Sequence, residues 1–228
     1  MIQLKDIEKS YPDGSERNQV LRGVNLTVGR GEFVAVTGES GSGKTTLLNI
    51  LGLLVKPDSG TYLLDGEDVS VVVGDAFRDK NDKAAGLRNR KIGFVFQEHR
   101  LLPQYTLYQN ILLPTIATPS KVTKEQTEYA NLLMDMTEIA PLANHYPSNV
   151  SGGEAGRAAL CRALIMKPLL LLADEPTGQL DSRNAQNIIS LLKKINGELG
   201  TTVLMVSHSK ETVVEAERIL NLKEGLLS

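Results

Sequence analysis

The chain has 228 residues, enough for one large domain, and its 41% hydrophobic share excludes an intrinsically disordered protein. The formal net charge is −2, so the overall electrostatics do not favour nucleic acid or an anionic membrane as partner. A single cysteine, Cys161, excludes an internal disulfide and suits a reducing compartment, and we expect it to be buried. No apolar stretch approaches the roughly 20 residues that cross a bilayer, and the first residues lack a signal-peptide layout. Any membrane role is therefore expected to come through a partner.

The first third of the chain contains the pattern of half-exposed antiparallel strands. Apolar and polar residues alternate over residues 2–4 and 24–28, and a third short run at 62–64 is followed by the turn pair Asp65 and Gly66. These segments predict an N-terminal antiparallel β subdomain.

Four other apolar runs lack this alternation and predict buried strands: residues 33–36, 92–96, 169–173 and 202–206. A helix is predicted over residues 44–54, directly after the first of them. Continuous apolar strands separated by helices are typical of a parallel sheet that is covered on both faces. The core is therefore predicted to be of the α/β class.

The segment from about residue 104 to 146 is predicted to be an all-helical insert in this core. Thr123 followed by Gln126 fits a capping box, the arrangement that begins many helices. Residues 70–86 have weak periodicity and predict a loop with one short helix.

A phosphate-binding loop is predicted between the first core strand and its helix, because residues 38–45 fit G-x-x-x-x-G-K-[ST] at every fixed position. Glycines let successive backbone N–H groups face an anion, and the helix N-terminus adds partial positive charge. The lysine of this motif reaches the β- and γ-phosphates and the threonine hydroxyl ligates Mg²⁺. The predicted nucleotide-binding residues here are Gly38, Glu39, Ser40, Gly41, Ser42, Gly43, Lys44 and Thr45, followed by Thr46.

Two carboxylates follow the third core strand. Asp174 ends this strand, which we expect to lie beside the P-loop strand, and is assigned to Mg²⁺. Glu175 is one residue further and is assigned as the base that accepts a proton from water. His208, shortly after the fourth strand, is predicted to contact the γ-phosphate and to hold Glu175 and the water in place.

A second phosphate-binding element is predicted at Ser151, Gly152, Gly153 and Glu154, because a Ser-Gly-Gly turn begins a predicted helix there. Two such elements for one nucleotide are unusual within one chain. They make sense together when two chains pair head to tail, so that each Ser-Gly-Gly turn closes over the P-loop of the other chain.

These elements, in this order, resemble the ATP-binding-cassette (ABC) ATPase family over nearly the whole chain. The resemblance implies a P-loop NTPase fold of the α/β class, with a mainly parallel core sheet, an N-terminal antiparallel β subdomain and an α-helical insert. It implies one domain, with about residues 1–96 and 160–228 forming the core and about 97–159 forming a helical subdomain. It also implies ATP and Mg²⁺ as ligands and a homodimer that forms on ATP binding.

The family pattern adds four assignments to those made from the residues alone. Gln97 corresponds to the Q-loop residue, with a catalytic and metal-binding role, and residues 180–181 correspond to the D-loop. Tyr11 corresponds to the adenine-stacking aromatic, whereas its own surroundings in the sequence leave a core or turn position equally open. Residues 150–154 correspond to the signature loop, the name used for them below.

Four segments have sequences that look like those of the lipoprotein-releasing and macrolide-exporter branch of the family: residues 87–97, 100–103, 143–148 and 173–178. Members of that branch pair with membrane subunits that carry large extracytoplasmic domains, which implies a peripheral position at the cytoplasmic face of the inner membrane. The chain departs from the usual pattern at several residues, and these are Val150, Glu154, Ala155, Gly156, Gln179, Glu98 and His99.

Three alternative functions need to be weighed against an ABC transporter ATPase, and the sequence argues against the first two. A soluble ABC ATPase of DNA repair or translation usually has two cassettes or a coiled-coil insert, and neither is present. A P-loop kinase or a non-hydrolysing module conflicts with the Ser-Gly-Gly turn, Glu175 and His208. A cassette that drives a regulatory membrane complex without moving cargo has the same chemistry, so sequence leaves it open beside export or membrane extraction of a lipoprotein or other amphiphile.

Overall fold

A computed structural model describes residues 1–14, 16–71, 83–117, 121–178 and 180–228. None of the helices in these ranges is both long and apolar enough to span a bilayer. The strands are β1 (Ile2–Asp13), β2 (Glu16–Val28), β3 (Phe33–Thr37), β4 (Ser59–Leu64), β5 (Glu67–Asp68), β6 (Ile92–Val95), β7 (Leu170–Asp174), β8 (Thr202–Val206), β9 (Arg218–Lys223) and β10 (Leu226–Leu227). The helices are α1 (Lys44–Leu51), α2 (Lys83–Lys91), α3 (Leu107–Ile116), α4 (Lys124–Met136), α5 (Gly152–Leu164), α6 (Ser182–Leu199) and α7 (Lys210–Val213).

The strands form two sheets, as the sequence predicts. The larger sheet has the order β10-β9-β3-β8-β7-β6, and its neighbours are parallel except for the β9–β10 pair. The smaller sheet has the order β2-β1-β4-β5 and is antiparallel throughout. The α/β class with an antiparallel N-terminal subdomain is therefore confirmed.

Both faces of the parallel sheet are buried at β3, β6, β7 and β8, because alternate residues of these strands belong to two different cores. Val34 and Val36 of β3 pack with α1 and the inner face of the antiparallel sheet. Phe33 and Ala35 of the same strand pack with α3, α4, α5 and α6 on the opposite side. This arrangement explains why the core strands are apolar at every position.

Capping residues begin three of the helices on the second face. Thr106 caps α3, Thr123 caps α4 and Ser151 caps α5, and each forms the two reciprocal hydrogen bonds of a capping box with the residue three positions later. The Thr123 box was predicted, and the described part of the 104–146 segment contains helices and turns but no strand. The proposed division into core and helical subdomain stays a prediction.

Several predicted boundaries are wrong. The helix predicted over residues 44–54 ends at Leu51, with Gly52 as its C-cap, because Leu53 adopts a left-handed backbone with φ 55° that cannot continue an α-helix. The strand predicted over 169–173 is Leu170–Asp174, and the one predicted over 92–96 ends at Val95. Of the segment 70–86, residues 72–82 lie outside the described chain, and its end contributes to α2.

Cys161 is buried on α5, as predicted. Its sulfur lies 3.2 Å from the hydroxyl of Thr137, and burial raises the pKa of the thiol to about 12. The thiol is therefore protonated at neutral pH and acts as a small core residue.

Candidate nucleotide-binding and catalytic site

The P-loop joins β3 to α1, in the strand–loop–helix context that its motif requires. Gly38, Gly41 and Gly43 have φ values of 156°, 77° and 105°, which favour glycine. Gly38 also has no room for a side chain, because a Cβ there would lie 2.3 Å from the carbonyl oxygen of Leu222 on β9. The loop is therefore fixed by glycine conformation and by its contact with the neighbouring strand.

Lys44 lies inside the P-loop, although its ammonium group is charged. The side chain is buried, and Nζ donates hydrogen bonds of 2.8 Å to the carbonyl oxygens of both Gly38 and Glu39. Glu39, Ser40 and Gly41 are exposed around it, the hydroxyl of Ser42 is buried without a hydrogen bond, and Thr45 and Thr46 follow at the start of α1. The positive charge is thus already held where phosphate would bind.

Asp174 is not on a strand adjacent to the P-loop strand, which corrects the sequence prediction. The sheet order places β8 between β3 and β7, because β8 pairs with both. Parallel strands end at one edge, so the Asp174 carboxylate still faces the P-loop, where Lys44 interacts with it electrostatically. Burial and the neighbouring Glu175 raise the pKa of Asp174, while Arg100 and Lys44 oppose the rise.

Glu175 and His208 are brought together by the pairing of β7 with β8. Glu175 has a left-handed backbone with φ 44°, and its N–H donates to the carbonyl oxygen of Val206 at 3.0 Å. Its Oε1 lies 3.1 Å from Nδ1 of His208, and both side chains line an open cavity of about 190 Å³. The turn therefore places the Glu175 carboxylate against the His208 ring, and the separate roles of Glu175 and Asp174 stay predictions.

Gln97 reaches the same region from the loop after β6. A Cβ on Gly178 would lie 2.8 Å from Nε2 of Gln97, so the amide contacts the turn that follows Glu175. The predicted magnesium ligands, Thr45, Asp174 and Gln97, all offer oxygen atoms, which are the donors that Mg²⁺ prefers. This donor set fits the predicted metal.

The signature loop is at the start of α5, and Ser151 and Gly152 are exposed there. Ser151 Oγ accepts from the Glu154 N–H at 3.3 Å and donates to the Glu154 carboxylate at 2.8 Å. Gly153 packs on α6, where a Cβ would lie 2.9 Å from Oδ1 of Asn184. No hydrogen bond or ion pair between described residues joins this loop to the P-loop of the same chain.

Tyr11 is on the β1–β2 hairpin and pairs with Asn18. Its ring is exposed, with Nζ of Lys9 5.5 Å from the ring centroid. The same hairpin contacts the P-loop through Val20, whose carbonyl oxygen would lie 3.0 Å from a Cβ on Gly43. The ring is therefore on an element that touches the P-loop, and its stacking role stays a prediction.

Residues 21–178 match the family model described as "ABC transporter". The chain belongs to the ABC transporter family. It is an ATPase of this family, as the P-loop, the paired carboxylates and the Ser-Gly-Gly turn at the start of α5 indicate.

Several relatives within the ABC transporter family match the chain over its full length. The lipoprotein-releasing system ATP-binding protein LolD of Shewanella frigidimarina is 39% identical over 227 residues, which are 100% of this chain and 92% of LolD. The macrolide export ATP-binding/permease protein MacB of Rhodopirellula baltica is 42% identical, but the chain spans only 32% of MacB. The ATP-binding cassette MJ0796, solved as a dimer in a post-hydrolysis state with ADP and Pi, is 39% identical with a TM-score of 0.87, covering 100% of this chain and 97% of that one.

Two arginines belong to the site although sequence reasoning gave them no role. Arg100 interacts electrostatically with Asp174 and lies 4.4 Å over the ring of Phe96. Arg162 of α5 donates hydrogen bonds of 2.6 Å to the carbonyl oxygens of His99 and Arg100. No local pattern marks these contacts, because they depend on positive φ at two successive residues, His99 and Arg100. The departure at Gln179 lies outside the described residues.

Proposed function

We propose that two copies of this chain bind two MgATP molecules between them, and that ATP binding and hydrolysis drive a membrane partner to export or extract a substrate. The contact between Glu175 and His208 at the P-loop edge of the sheet carries this proposal. A nucleotide-binding module without hydrolysis has no need of a carboxylate that a histidine orients next to the phosphate site.

The chemistry follows from the positions of the charged groups. Glu175 accepts a proton from the attacking water, and His208 fixes the orientation of the carboxylate. Lys44 and the N–H groups of the P-loop offset the negative charge on the transferring phosphoryl group. Mg²⁺, held by Thr45, Asp174 and Gln97, would add positive charge at the phosphates.

A shared site explains why the signature loop is exposed and separate from the P-loop of its own chain. In a head-to-tail dimer, Ser151, Gly152 and Gly153 of one copy close over the nucleotide on the other copy, adding N–H donors at a helix N-terminus. ATP binding is then coupled to association of the two copies, and loss of the γ-phosphate on hydrolysis weakens that association. The dimeric state of MJ0796 supports this arrangement.

A groove beside the loop of Gln97 offers a docking place for the membrane partner. It has a volume of about 510 Å³ and is lined by apolar side chains, including Leu54, Phe94 and Met166, together with Arg88, Arg100 and Arg162. A partner segment seated there would contact the loop and the helices that carry the signature loop. The movement between open and closed dimers would thus reach the membrane subunits.

The relatives indicate the class of partner and cargo. MacB is an ATP-binding/permease protein, and this chain matches 32% of its length. We infer that this chain associates with separate permease subunits bearing large extracytoplasmic domains, at the cytoplasmic face of the inner membrane. A lipoprotein or another amphiphile is the proposed cargo, because LolD relatives are lipoprotein-releasing and match over nearly their whole length.

Glu175→Gln tests the proposed catalytic role. We expect the variant to bind ATP, to lose turnover and to form a stable dimer in ATP and Mg²⁺, measured by light scattering after size exclusion. Glu128→Gln, on the exposed surface of α4, is the matched control and should leave all three properties unchanged. Hydrolysis by Glu175→Gln at the normal rate would remove Glu175 from the role of base.

A further inference from the structure

The loop between β6 and α3, residues 96–106, contains a buried histidine that the proposed chemistry does not use. His99 is only 8% exposed, two residues after Gln97. Its φ is 57° and that of Arg100 is 48°, so the chain makes a tight left-handed turn that directs the ring inwards. We call residues 96–106 the Gln97 loop.

The ring of His99 lies against Gly156, at the second turn of α5. A Cβ built on Gly156 would lie 3.2 Å from Cε1 and 3.6 Å from Nε2 of His99, and 3.6 Å from Cδ1 of Ile188. No side chain larger than alanine fits there while the ring keeps its position. Glycine is a poor helix former, so its presence in mid-helix is best explained by the room that it leaves for the ring.

Packing and two nearby backbone groups hold the ring of His99 in place. Neither ring nitrogen makes a hydrogen bond of full geometry in the described part of the chain, but the backbones of Gly152 and Phe96 lie close enough to interact with the ring as hydrogen-bonding groups. The ring therefore touches α5 at its first residue and again one turn later, at Gly156. Its position depends on the notch that the missing side chain creates.

Arg162 ties the same loop to the same helix at a second point. Its Nη1 and Nη2 donate hydrogen bonds of 2.6 Å to the carbonyl oxygens of Arg100 and His99. The Gln97 loop is thus attached to α5 both through a side chain in a notch and through two hydrogen bonds. A displacement of the loop cannot occur without a displacement of α5 or the loss of these contacts.

We propose that His99 is a positioning residue for the signature loop. Because its ring packs against Gly156, the Gln97 loop and the start of α5 move as one body. The inference rests on the proposed function, in which Ser151, Gly152 and Gly153 close over the nucleotide of the partner copy. Movement at the groove beside the Gln97 loop then reaches the shared ATP site through the His99 contact, together with the hydrogen bonds of Arg162.

Gly156→Leu, placed in the Glu175→Gln background, tests this role. The leucine displaces His99, so we expect half-maximal dimerisation to need at least tenfold more ATP. Binding of a fluorescent ATP analogue to monomer at low protein concentration should stay within twofold, because the P-loop is untouched. Gly197→Leu in α6 is the matched control, since a Cβ at this helical glycine meets no atom within 4 Å, and it should change neither value.

A compensating substitution separates positioning from general damage. His99→Asn removes the ring and still tolerates positive φ, so the double variant His99→Asn/Gly156→Leu should recover ATP-dependent dimerisation to within threefold. In Gly156→Ala the new Cβ would lie 3.2 Å from the His99 ring, so we expect a smaller rise in the ATP concentration needed for half-maximal dimerisation. This variant replaces Gly156→Leu in the test if Gly156→Leu unfolds at a lower temperature. The inference fails if Gly156→Leu and Gly156→Ala both dimerise like the parent, or if the double variant is no better than Gly156→Leu. Absence of ATP-dependent dimers in the Glu175→Gln parent itself would instead overturn the proposed function.

Discussion

Nδ1 of His208 lies 3.1 Å from Oε1 of Glu175, and this contact spans two neighbouring strands of the parallel sheet. His208 comes two residues after the end of β8, and Glu175 comes one residue after the end of β7. The hydrogen bond from the Glu175 N–H to the Val206 carbonyl fixes the turn that makes the contact. The histidine is thus placed to orient the carboxylate towards a single position.

His208→Ala is expected to lower kcat for ATP hydrolysis by about 100-fold or more, because His208 orients Glu175 and a well-placed proton-transfer group contributes about 10²–10⁴-fold. The KM for ATP should change by less than about fivefold, since the P-loop supplies most phosphate contacts. Steady-state hydrolysis and equilibrium binding of a fluorescent ATP analogue measure the two effects separately.

The double variant His208→Ala/Glu175→Gln shows whether the histidine acts through the glutamate. Groups that act as one unit are strongly non-additive, so the double variant should retain the same residual rate as Glu175→Gln alone. A further large loss in the double variant would show that His208 works independently of Glu175.

Membrane subunits should copurify with the tagged chain from detergent extracts of its native host, where mass spectrometry identifies them. Leu54→Asp puts a charge into the apolar part of the groove and should abolish their retention, while leaving basal ATP hydrolysis within twofold. Leu132→Asp is the matched control, because Leu132 is also exposed but lies on α4 outside the groove. Equal retention by both variants would place the partner elsewhere.

The sequence alone predicts those parts of the site whose backbone conformation depends on residues that are neighbours in the chain. The P-loop, the Ser-Gly-Gly turn and the capping box at Thr123 are determined within about eight positions, so their residue types reveal the local backbone. The alternation of strands and helices likewise predicted the sheet class. Each of these features has a physical cause that lies inside a short window of chain.

Features that depend on distant pairing escaped prediction. The insertion of β8 between β3 and β7 follows from hydrogen bonding between strands that are more than 25 residues apart in sequence, and no local pattern encodes that order. The contact of His99 with Gly156 is of the same kind. Both residues were recognised as departures from the family pattern, but only the fold shows that they touch.

Gly38→Ala is expected to destabilise the fold by roughly 2–3 kcal/mol and to weaken ATP binding. The new Cβ would lie 2.3 Å from the Leu222 carbonyl oxygen and 2.7 Å from Oγ of Ser42, and φ is 156°, so both contact and backbone strain contribute. A loss of this size corresponds to a fall in Tm of roughly 4–12 °C for a chain of this length, measurable by thermal unfolding.

Gly41→Ala separates the two contributions within the same loop. Gly41 also has positive φ, 77°, but a Cβ there would meet no atom within 4 Å. Its Tm should therefore fall by less than that of Gly38→Ala, and the difference measures the contact between the P-loop and β9. Equal losses would show that backbone strain alone excludes side chains from the loop, and that the contact with Leu222 does not fix its position.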